Sequence, residues 1–201
     1  IFPPLCVHCG REGAWLCPAA QALVKAEHII IDPITIPGVD RIYVRGSYDC
    51  EPLAQLIQKL KYHYWTGLAG VLDDALASLV KELVIPKGTI IIPVPLHSRR
   101  HRERGFNQSL IIGKSLSKAT GLPQVNLLQR TRYTTPQATL SATKRTTNII
   151  GAFGREKVAK WPKSGILVDD VITTGSTIAE CASVLRQHGI QQIVAVALAK
   201  G

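Results

Sequence analysis

The chain contains no methionine, few aromatic residues and no long hydrophobic run. Of its 201 residues 46% are hydrophobic, which is enough to bury the core of one domain of ordinary size. Its apolar runs fall short of the ~20 residues that a membrane-spanning helix needs, which argues against membrane insertion. Because methionine is lacking even at position 1, we expect the chain to be a trimmed part of a longer one.

A secretory signal and a disulfide framework are also lacking. Residues 1–4 read I-F-P-P, with no basic region and no signal-like apolar stretch, so secretion is not expected. The five cysteines are an odd number, and three of them lie within the first 17 residues. This is a poor pattern for disulfides and a better one for a metal or for free thiols. We therefore predict a cytoplasmic protein.

Acidic residues are scarce in one part of the chain. The net charge is +10, and residues 96–163 contain fourteen basic and only two acidic side chains. This segment therefore accounts for the whole excess of positive charge. Such a block is typical of a surface that binds phosphate, pyrophosphate or nucleic acid, although a solvated basic face has the same composition.

Helical spacings alternate with continuous apolar runs. The predicted strands cover residues 41–48, 89–94, 165–172 and 192–199, and the predicted helices cover residues 52–64, 68–83, 106–119 and 176–188. This alternation predicts an α/β domain with a mainly parallel, twisted sheet flanked by helices. We place the domain at residues 46–201, after a short Cys-containing segment at 1–45. Residues 130–147 are polar and without an apolar period, so they are predicted to form a long loop.

The segment 166–178, I-L-V-D-D-V-I-T-T-G-S-T-I, places two carboxylates at the end of a buried strand. Asp169 and Asp170 are suited to accept hydrogen bonds from vicinal sugar hydroxyls, or to help hold Mg²⁺. Beyond them a run of hydroxyls and one glycine leads into a helix, whose N-terminus favours phosphate. In open α/β sheets, ligands lie beyond such strand ends. A simple helix cap would explain one hydroxyl and one carboxylate only. The whole pattern indicates a ligand such as ribose 5-phosphate.

Several segments carry a resemblance to a known family. V-D-D-V-I-T-T-G-S-T resembles the phosphoribosyl-pyrophosphate (PRPP) motif of type I phosphoribosyltransferases. The segments 91–108 (I-I-P-V-P-L-H-S-R-R-H-R-E-R-G-F-N-Q) and 130–153, with Cys6-x-x-Cys9 and Leu60-Lys61-Tyr62, are similar to the ComF family, which has GntX-like relatives. The resemblance extends over nearly the whole chain. It implies a type I phosphoribosyltransferase-like fold, PRPP and Mg²⁺ as ligands, and a role in DNA uptake and natural transformation.

The resemblance also implies roles for individual residues. Asp169 and Asp170 would hold the ribose hydroxyls of PRPP and, directly or indirectly, Mg²⁺. The residues expected to wrap its 5-phosphate are Thr173, Thr174, Gly175, Ser176 and Thr177. The residues expected to form the pyrophosphate loop are Leu96, His97, Ser98, Arg99 and Arg100. Lys144 and Arg145 would be cationic catalytic contacts from a mobile loop at 130–147. Arginine side chains suit phosphate because their forked donors match its oxygens.

The cysteines near the start suit a zinc knuckle. Cys6, Cys9 and Cys17 would be three of its ligands. Family members often have a second Cys-x-x-Cys, which would place a fourth ligand at position 20, where this chain has Ala20. His8, His28 and Cys50 are possible substitutes, but their spacing is not that of a known zinc site. The alternative is a degenerate finger that survives as a packed loop without zinc.

Two functions remain open on the sequence alone. The chain is either a phosphoribosyltransferase that transfers a pentosyl group from PRPP with Mg²⁺, or a non-catalytic protein that binds single-stranded DNA for the competence machinery. Both ligands are polyanions, so the basic segment fits both. Nucleic-acid binding would favour aromatic rings among the cations, and the basic segment has only Phe106, Tyr133, Phe153 and Trp161.

Overall fold

A computed structural model describes residues 3–27, 30–31, 36–62, 67–134, 149–158 and 160–201. Its helices are α1 (Pro18–Ala26), α2 (Glu51–Tyr62), α3 (Leu68–Glu82), α4 (Ser98–Arg104), α5 (Gln108–Thr120) and α6 (Ser176–Gln187). Its strands are β1 (Ile30–Ile31), β2 (Arg41–Ser47), β3 (Thr89–Pro93), β4 (Leu128–Arg130), β5 (Phe153–Arg155), β6 (Ser164–Ile172) and β7 (Gln192–Lys200). Within these ranges no helix has the length and hydropathy needed to span a bilayer.

Five strands form the main sheet, in the order β1-β2-β7-β6-β3. The pairs β2–β7, β7–β6 and β6–β3 are parallel, and only the short β1 is antiparallel to its neighbour. Strands β4 and β5 form a separate antiparallel pair. The predicted α/β fold class, a mainly parallel sheet flanked by helices, is therefore confirmed. Because the four long strands are parallel, their carboxyl ends meet at one edge.

The apolar strands are buried on both faces, which explains why they read as continuous hydrophobic runs. In β7, Val194 and Val196 belong to the apolar cluster on one face, and Ala195 and Ala197 belong to the cluster on the other. Helices α1, α2, α3 and α5 cover the first face, and α6 with the segment 149–153 covers the second. The sheet is thus the middle layer of three.

The N-terminal segment packs into the same core as the sheet. Cys6, Leu16, Ala20 and Val24 share one apolar cluster with residues of α2 and α3. The predicted boundary after residue 45 falls inside β2, so the N-terminal part supplies most of a strand of the main sheet. The division into two domains stays a prediction.

The predicted helices and strands are present, with ends that agree within two residues wherever the structure describes them. The sequence patterns missed the short elements. Helix α4 has the sequence S-R-R-H-R-E-R, which has no hydrophobic period, and it forms between a His97 cap and Gly105 at φ 80°. The predicted loop 130–147 needs a correction at its start, because Arg130 pairs with Phe153 in the β4–β5 ladder. Residues 135–147 of that loop lie outside the described ranges.

A buried arginine joins helix α1 to the sheet. Arg45 is 1% exposed, and its guanidinium donates hydrogen bonds to the carbonyl oxygens of Val24 (2.5 Å) and Glu27 (3.0 Å) at the end of the helix. The Val24 carbonyl also accepts a long hydrogen bond from the Glu27 backbone N–H (3.3 Å), so the arginine adds a second donor there and completes the C-terminal cap of the helix. Glu27 in turn accepts a hydrogen bond from the Ser47 N–H (2.8 Å).

Replacing Arg45 by methionine should lower the free energy of unfolding by about 2 kcal/mol, because both carbonyls would lose the guanidinium as a donor inside the protein. Urea titration measures this difference. Arg41→Met is the matched control on the same strand, since Arg41 is exposed, and its effect should stay within about 0.5 kcal/mol. Equal stabilities of the two variants would contradict the assigned role of Arg45.

Candidate functional site

A cleft of about 420 Å³ opens at the carboxyl edge of the sheet. Residues after β2, β3, β6 and β7 line it, and residues of α2, α4 and α5 and Arg130 of β4 complete its walls. The lining residues are Tyr48, Lys61, Val94, Pro95, Leu96, Arg100, Arg104, Gln108, Ser109, Arg130, Asp169, Asp170, Val171, Thr173, Thr177 and Gly201. The cleft thus lies where the topology predicts a ligand.

The paired carboxylates lie at the centre of this cleft. The Ser109 hydroxyl donates a hydrogen bond to Asp169 Oδ1 (3.1 Å), and the Asp170 backbone N–H donates to the same oxygen (2.9 Å). Burial and the neighbouring Asp170 charge raise the pKa of Asp169 to about 7, against the lowering effect of these hydrogen bonds. Near neutral pH Asp169 can therefore accept a hydrogen bond from a sugar hydroxyl or donate one to it.

The second carboxylate has a cationic partner. Lys61 extends from the last turn of α2, and its Nζ lies 3.1 Å from Asp170 Oδ2. Both side chains are shielded, with exposed fractions of 24% and 15%. The ion pair connects α2 to the end of β6. It belongs to the site, although the sequence singled out Lys61 only as part of a family segment.

The loop between β6 and α6 has the geometry of an anion cradle. Gly175 has φ 74°, and a Cβ there would lie 2.5 Å from Ile36 Cδ1, so both backbone and space favour glycine. The Thr174 and Ser176 hydroxyls lie 2.9 Å apart. Gly175 is the N-cap of helix α6 and has no side chain to cap it, and the Ser176 N–H makes one long hydrogen bond to Thr174 Oγ1 (3.5 Å). A helix N-terminus of this kind favours an anion.

Cations form another wall of the cleft. Arg100, Arg104 and Arg130 all line it. Arg100 donates to the Thr134 carbonyl oxygen (3.3 Å), and the buried Arg130 Nε has no hydrogen-bond partner in the described part of the chain. Burial and the nearby Arg100 charge lower the pKa of Arg130. This concentration of positive charge favours a ligand with a second anionic group.

An aromatic ring lies beside the basic wall, on the outer surface. Tyr133 is 38% exposed, and the Arg99 guanidinium carbon lies 4.8 Å from its ring centroid. The Arg100 guanidinium carbon is 6.0 Å from the same centroid, and the His97 ring is 5.3 Å away in an edge-on arrangement. Tyr133 therefore combines a partly free ring with three cationic or ionisable neighbours.

The structure brings only part of the predicted site into the cleft. The predicted residues that line it are Asp169, Asp170, Thr173, Thr177, Leu96 and Arg100. Thr174, Gly175 and Ser176 belong to the same loop without lining the cleft. Ser98, Arg99 and Arg100 form the first turn of α4 rather than an irregular loop, and Arg99 pairs with Glu103 (3.0 Å) on the exposed side. Lys144 and Arg145 lie outside the described residues.

The lining residues that were missed as site residues include Lys61, Arg104, Gln108, Ser109 and Arg130. Gln108 and Ser109 had a usable signal, since they open a helix that follows a buried strand and its turn. The Asn107 side chain fixes this start by donating to the Val94 carbonyl oxygen (2.9 Å) and accepting from the Ser109 N–H (3.0 Å). No local sequence pattern marked Lys61 or Arg130 as lining the cleft, because only tertiary packing brings α2 and β4 there.

The three N-terminal cysteines come together as predicted. The sulfur atoms of Cys6, Cys9 and Cys17 lie within 4.8 Å of one another. Cys9 Sγ and Cys17 Sγ are 3.7 Å apart, close to the about 3.8 Å edge of a tetrahedron with zinc–sulfur bonds of about 2.3 Å. Burial acts to raise the pKa of Cys6, but backbone N–H groups of Cys17, Cys9 and His8 lower it to about 6. The cluster could therefore hold a metal such as zinc.

The structure does not supply a fourth zinc ligand from the predicted substitutes that it describes, His8 and Cys50. His8 Nδ1 lies 3.1 Å from Gln55 Oε1, and neither His8 nor Cys50 belongs to the described cysteine group. His28 falls outside the described residues. Ala20 is fully buried in the first part of α1. Among the described residues, the metal-binding group is thus limited to three thiols.

Comparisons with known proteins give the following relatives. No protein-family model matches the chain. Competence protein F of Haemophilus influenzae is 35% identical over 207 residues, which cover 98% of this chain and 85% of that protein. DNA utilization protein YhgH of Escherichia coli (strain K12) is 33% identical over 192 residues, covering 92% of this chain and 79% of that protein. Among solved structures, glutamine PRPP amidotransferase from B. subtilis overlaps with a TM-score of 0.45 at 16% identity, covering 70% of this chain and 30% of that one.

Asp169→Asn should stabilise the protein at about pH 8 and change little near pH 4. The folded-state pKa of about 7 lies above the ordinary value of 3.8. Between these values the folded state keeps a proton that the unfolded state has released, so this carboxyl makes stability fall as pH rises. Asparagine cannot ionise, and its side-chain oxygen still accepts from Ser109.

Urea titrations across this pH range measure the effect. Asp74→Asn, at an exposed position on α3, is the control and should leave the pH dependence unchanged. A stability difference between Asp169→Asn and the wild type that stays constant from pH 4 to pH 8 would contradict the assignment.

Proposed function

Because this chain belongs to the ComF family, as its similarity to competence protein F shows, we propose that it binds PRPP or a related ribose phosphate during DNA uptake. The observation that supports this most directly is the convergence of two carboxylates, a helix N-terminus and three arginines in one cleft. A phosphorylated pentose with a second phosphate group has the diol and the two anionic ends that these groups would recognise.

Each part of the cleft would bind a different part of the ligand. Asp169 and Asp170 would accept hydrogen bonds from the ribose hydroxyls, and the loop Thr173–Thr177 would surround the 5-phosphate. The pyrophosphate would lie toward the arginine wall, near Leu96 and Arg100. Lys144 and Arg145 stay predicted contacts from the segment that follows Thr134.

The same arrangement suits transfer of the pentosyl group. When bound, Mg²⁺ would neutralise charge on the leaving pyrophosphate, and Asp169 and Asp170 would help hold it indirectly, through the ribose hydroxyls that they bind. The arginines would stabilise the charge that builds on the leaving group, since they already lie in place around the cleft. The accepting nitrogen base is not specified by this geometry. We therefore propose a phosphoribosyltransferase-like site that binds the ribose phosphate, with transfer of the pentosyl group as a further step.

The three N-terminal thiols would hold zinc with an exchangeable fourth ligand such as water. Their spacing supports this, and Cys6 is the thiol most ready to ionise. With Ala20 in place of a fourth cysteine, binding should be weaker than in a closed four-thiolate site. The zinc would stabilise the segment that packs under α2 rather than take part in the cleft chemistry.

The binding proposal can be tested by calorimetric titration of PRPP with Mg²⁺. The double variant Asp169→Asn/Asp170→Asn should bind at least about tenfold more weakly, because the ribose hydroxyls would then donate to neutral amide oxygens rather than to carboxylates. The chain contains a matched control in Asp73 and Asp74, an adjacent pair on α3 away from the cleft. Asp73→Asn/Asp74→Asn should bind like the wild type. Equal affinities of the wild type and the Asp169/Asp170 variant would show the site to be wrong.

A second candidate function is binding of single-stranded DNA, and Tyr133 favours it. Its exposed ring, with Arg99 at 4.8 Å, provides a stacking surface next to phosphate-binding cations. This surface lies beside the cleft, so both functions are compatible in one protein. The relatives named for competence and DNA utilization make such a partner chemically reasonable.

Tyr133→Ala should weaken binding of a fluorescent single-stranded oligonucleotide by about tenfold, since stacking contributes about 1–3 kcal/mol per base. Fluorescence anisotropy at fixed salt measures it, because phosphate contacts depend strongly on ionic strength. Arg99→Gln should also weaken binding. Arg155→Gln, an exposed position in the same basic segment but outside this cluster, is the control. Unchanged affinity in Tyr133→Ala would exclude the surface as a DNA site.

A further inference from the structure

Lys61 holds a position that its helix alone does not explain. A lysine in the last turn of a helix is favoured by the helix dipole. This interaction does not require the ammonium to leave water. Here the ammonium reaches into the cleft and lies 3.1 Å from Asp170 Oδ2, with three quarters of the side chain shielded. Among the described residues, this is the one salt bridge that involves a cleft carboxylate.

This ion pair changes the charge of the acidic pair. Two adjacent carboxylates at a half-buried strand end repel each other. The Lys61 ammonium lies against Asp170 and so offsets part of their shared negative charge. The three groups together therefore have much less negative charge than two free aspartates, and a phosphorylated ligand can approach them with less repulsion.

We propose that Lys61 is a built-in counter-ion that takes the place of a divalent cation at the Asp169–Asp170 pair. As a result, a phosphorylated pentose without a pyrophosphate binds in this cleft independently of Mg²⁺. This inference rests on the proposed function for its ligand, ribose 5-phosphate, and concerns how that ligand is recognised. Lys61 acts through Asp170 and is a positioning residue.

The chemistry of the two partners supports this role. An ionised carboxylate has about four lone-pair sites, so Asp170 can keep Lys61 and still accept from a sugar hydroxyl. A divalent cation at the same oxygens would instead have to compete with the ammonium for them.

Calorimetric titration of ribose 5-phosphate, with EDTA or with Mg²⁺, tests the ligand part. Wild-type affinity should change less than twofold between the two conditions. Lys61→Met should bind ribose 5-phosphate at least tenfold more weakly than the wild type in EDTA. Its affinity should be at least threefold higher with Mg²⁺ than with EDTA. Lys61→Arg should resemble the wild type, and Lys81→Met, at an exposed position on α3, is the control. A loss in Lys61→Met that Mg²⁺ leaves unchanged would overturn the proposal.

A second measurement needs no sugar and separates this proposal from the proposed function. Mn²⁺ is a hard cation that prefers oxygen ligands to thiols, and electron paramagnetic resonance counts its free fraction. Lys61→Met should bind Mn²⁺ at least fivefold more tightly than the wild type, and adding Asp169→Asn/Asp170→Asn should abolish the gain. If Lys61→Met does not fold, Lys61→Gln takes its place.

The outcomes of the two measurements are distinct. If the wild type does not bind ribose 5-phosphate but Lys61→Met gains Mn²⁺ binding, the proposed ligand is refuted. The role of Lys61 as a counter-ion is then still supported. Equal Mn²⁺ affinity in Lys61→Met and the wild type would refute the counter-ion, whatever the sugar titration shows.

Discussion

The cleft depends on one constraint: two adjacent carboxylates are held at the end of a buried strand. Such a pair is unfavourable by itself, because burial and mutual repulsion both disfavour its charged form. The protein relieves this from two sides. Ser109 donates to Asp169 from the start of α5, and Lys61 pairs with Asp170 from the end of α2. Both helices are thereby connected to β6, and their ends define two walls of the cleft.

The sheet topology explains why the loop between β6 and α6 and the arginines lie near this pair. Strand β6 lies between β7 and β3, so the turn after β3 is the neighbour of its carboxyl end. The loop that follows Asp170 must reverse within a few residues to start α6, and Gly175 allows this at positive φ against Ile36. Arg100 and Arg130 then reach the opposite side from α4 and β4. One ligand contacting both sides would be attracted by groups that the fold has already placed.

Local patterns were sufficient for the parts of the fold with a strong period or motif. The buried strands β3, β6 and β7 read as continuous apolar runs, and the D-D-x-x-T-T-G segment indicated its turn, while the ligand that it predicts stays a prediction. Helix α4 was missed because seven mostly charged residues have no apolar period. Lys61, Arg130 and the Tyr133 cluster were missed for another reason, since α2, β4 and α4 are distant in sequence and meet only through packing. The Cys6–Cys9–Cys17 group was predictable because its members are close along the chain.

The central claim is that one ligand contacts the carboxylate pair and the loop before α6 at the same time. An amide NMR titration tests it most directly, by following the backbone N–H signals of Asp170 and Thr177. Ribose 5-phosphate should shift both signals with a single dissociation constant, whereas inorganic phosphate should shift only Thr177. Two different constants for ribose 5-phosphate, or a shift at only one of the two amides, would contradict the account.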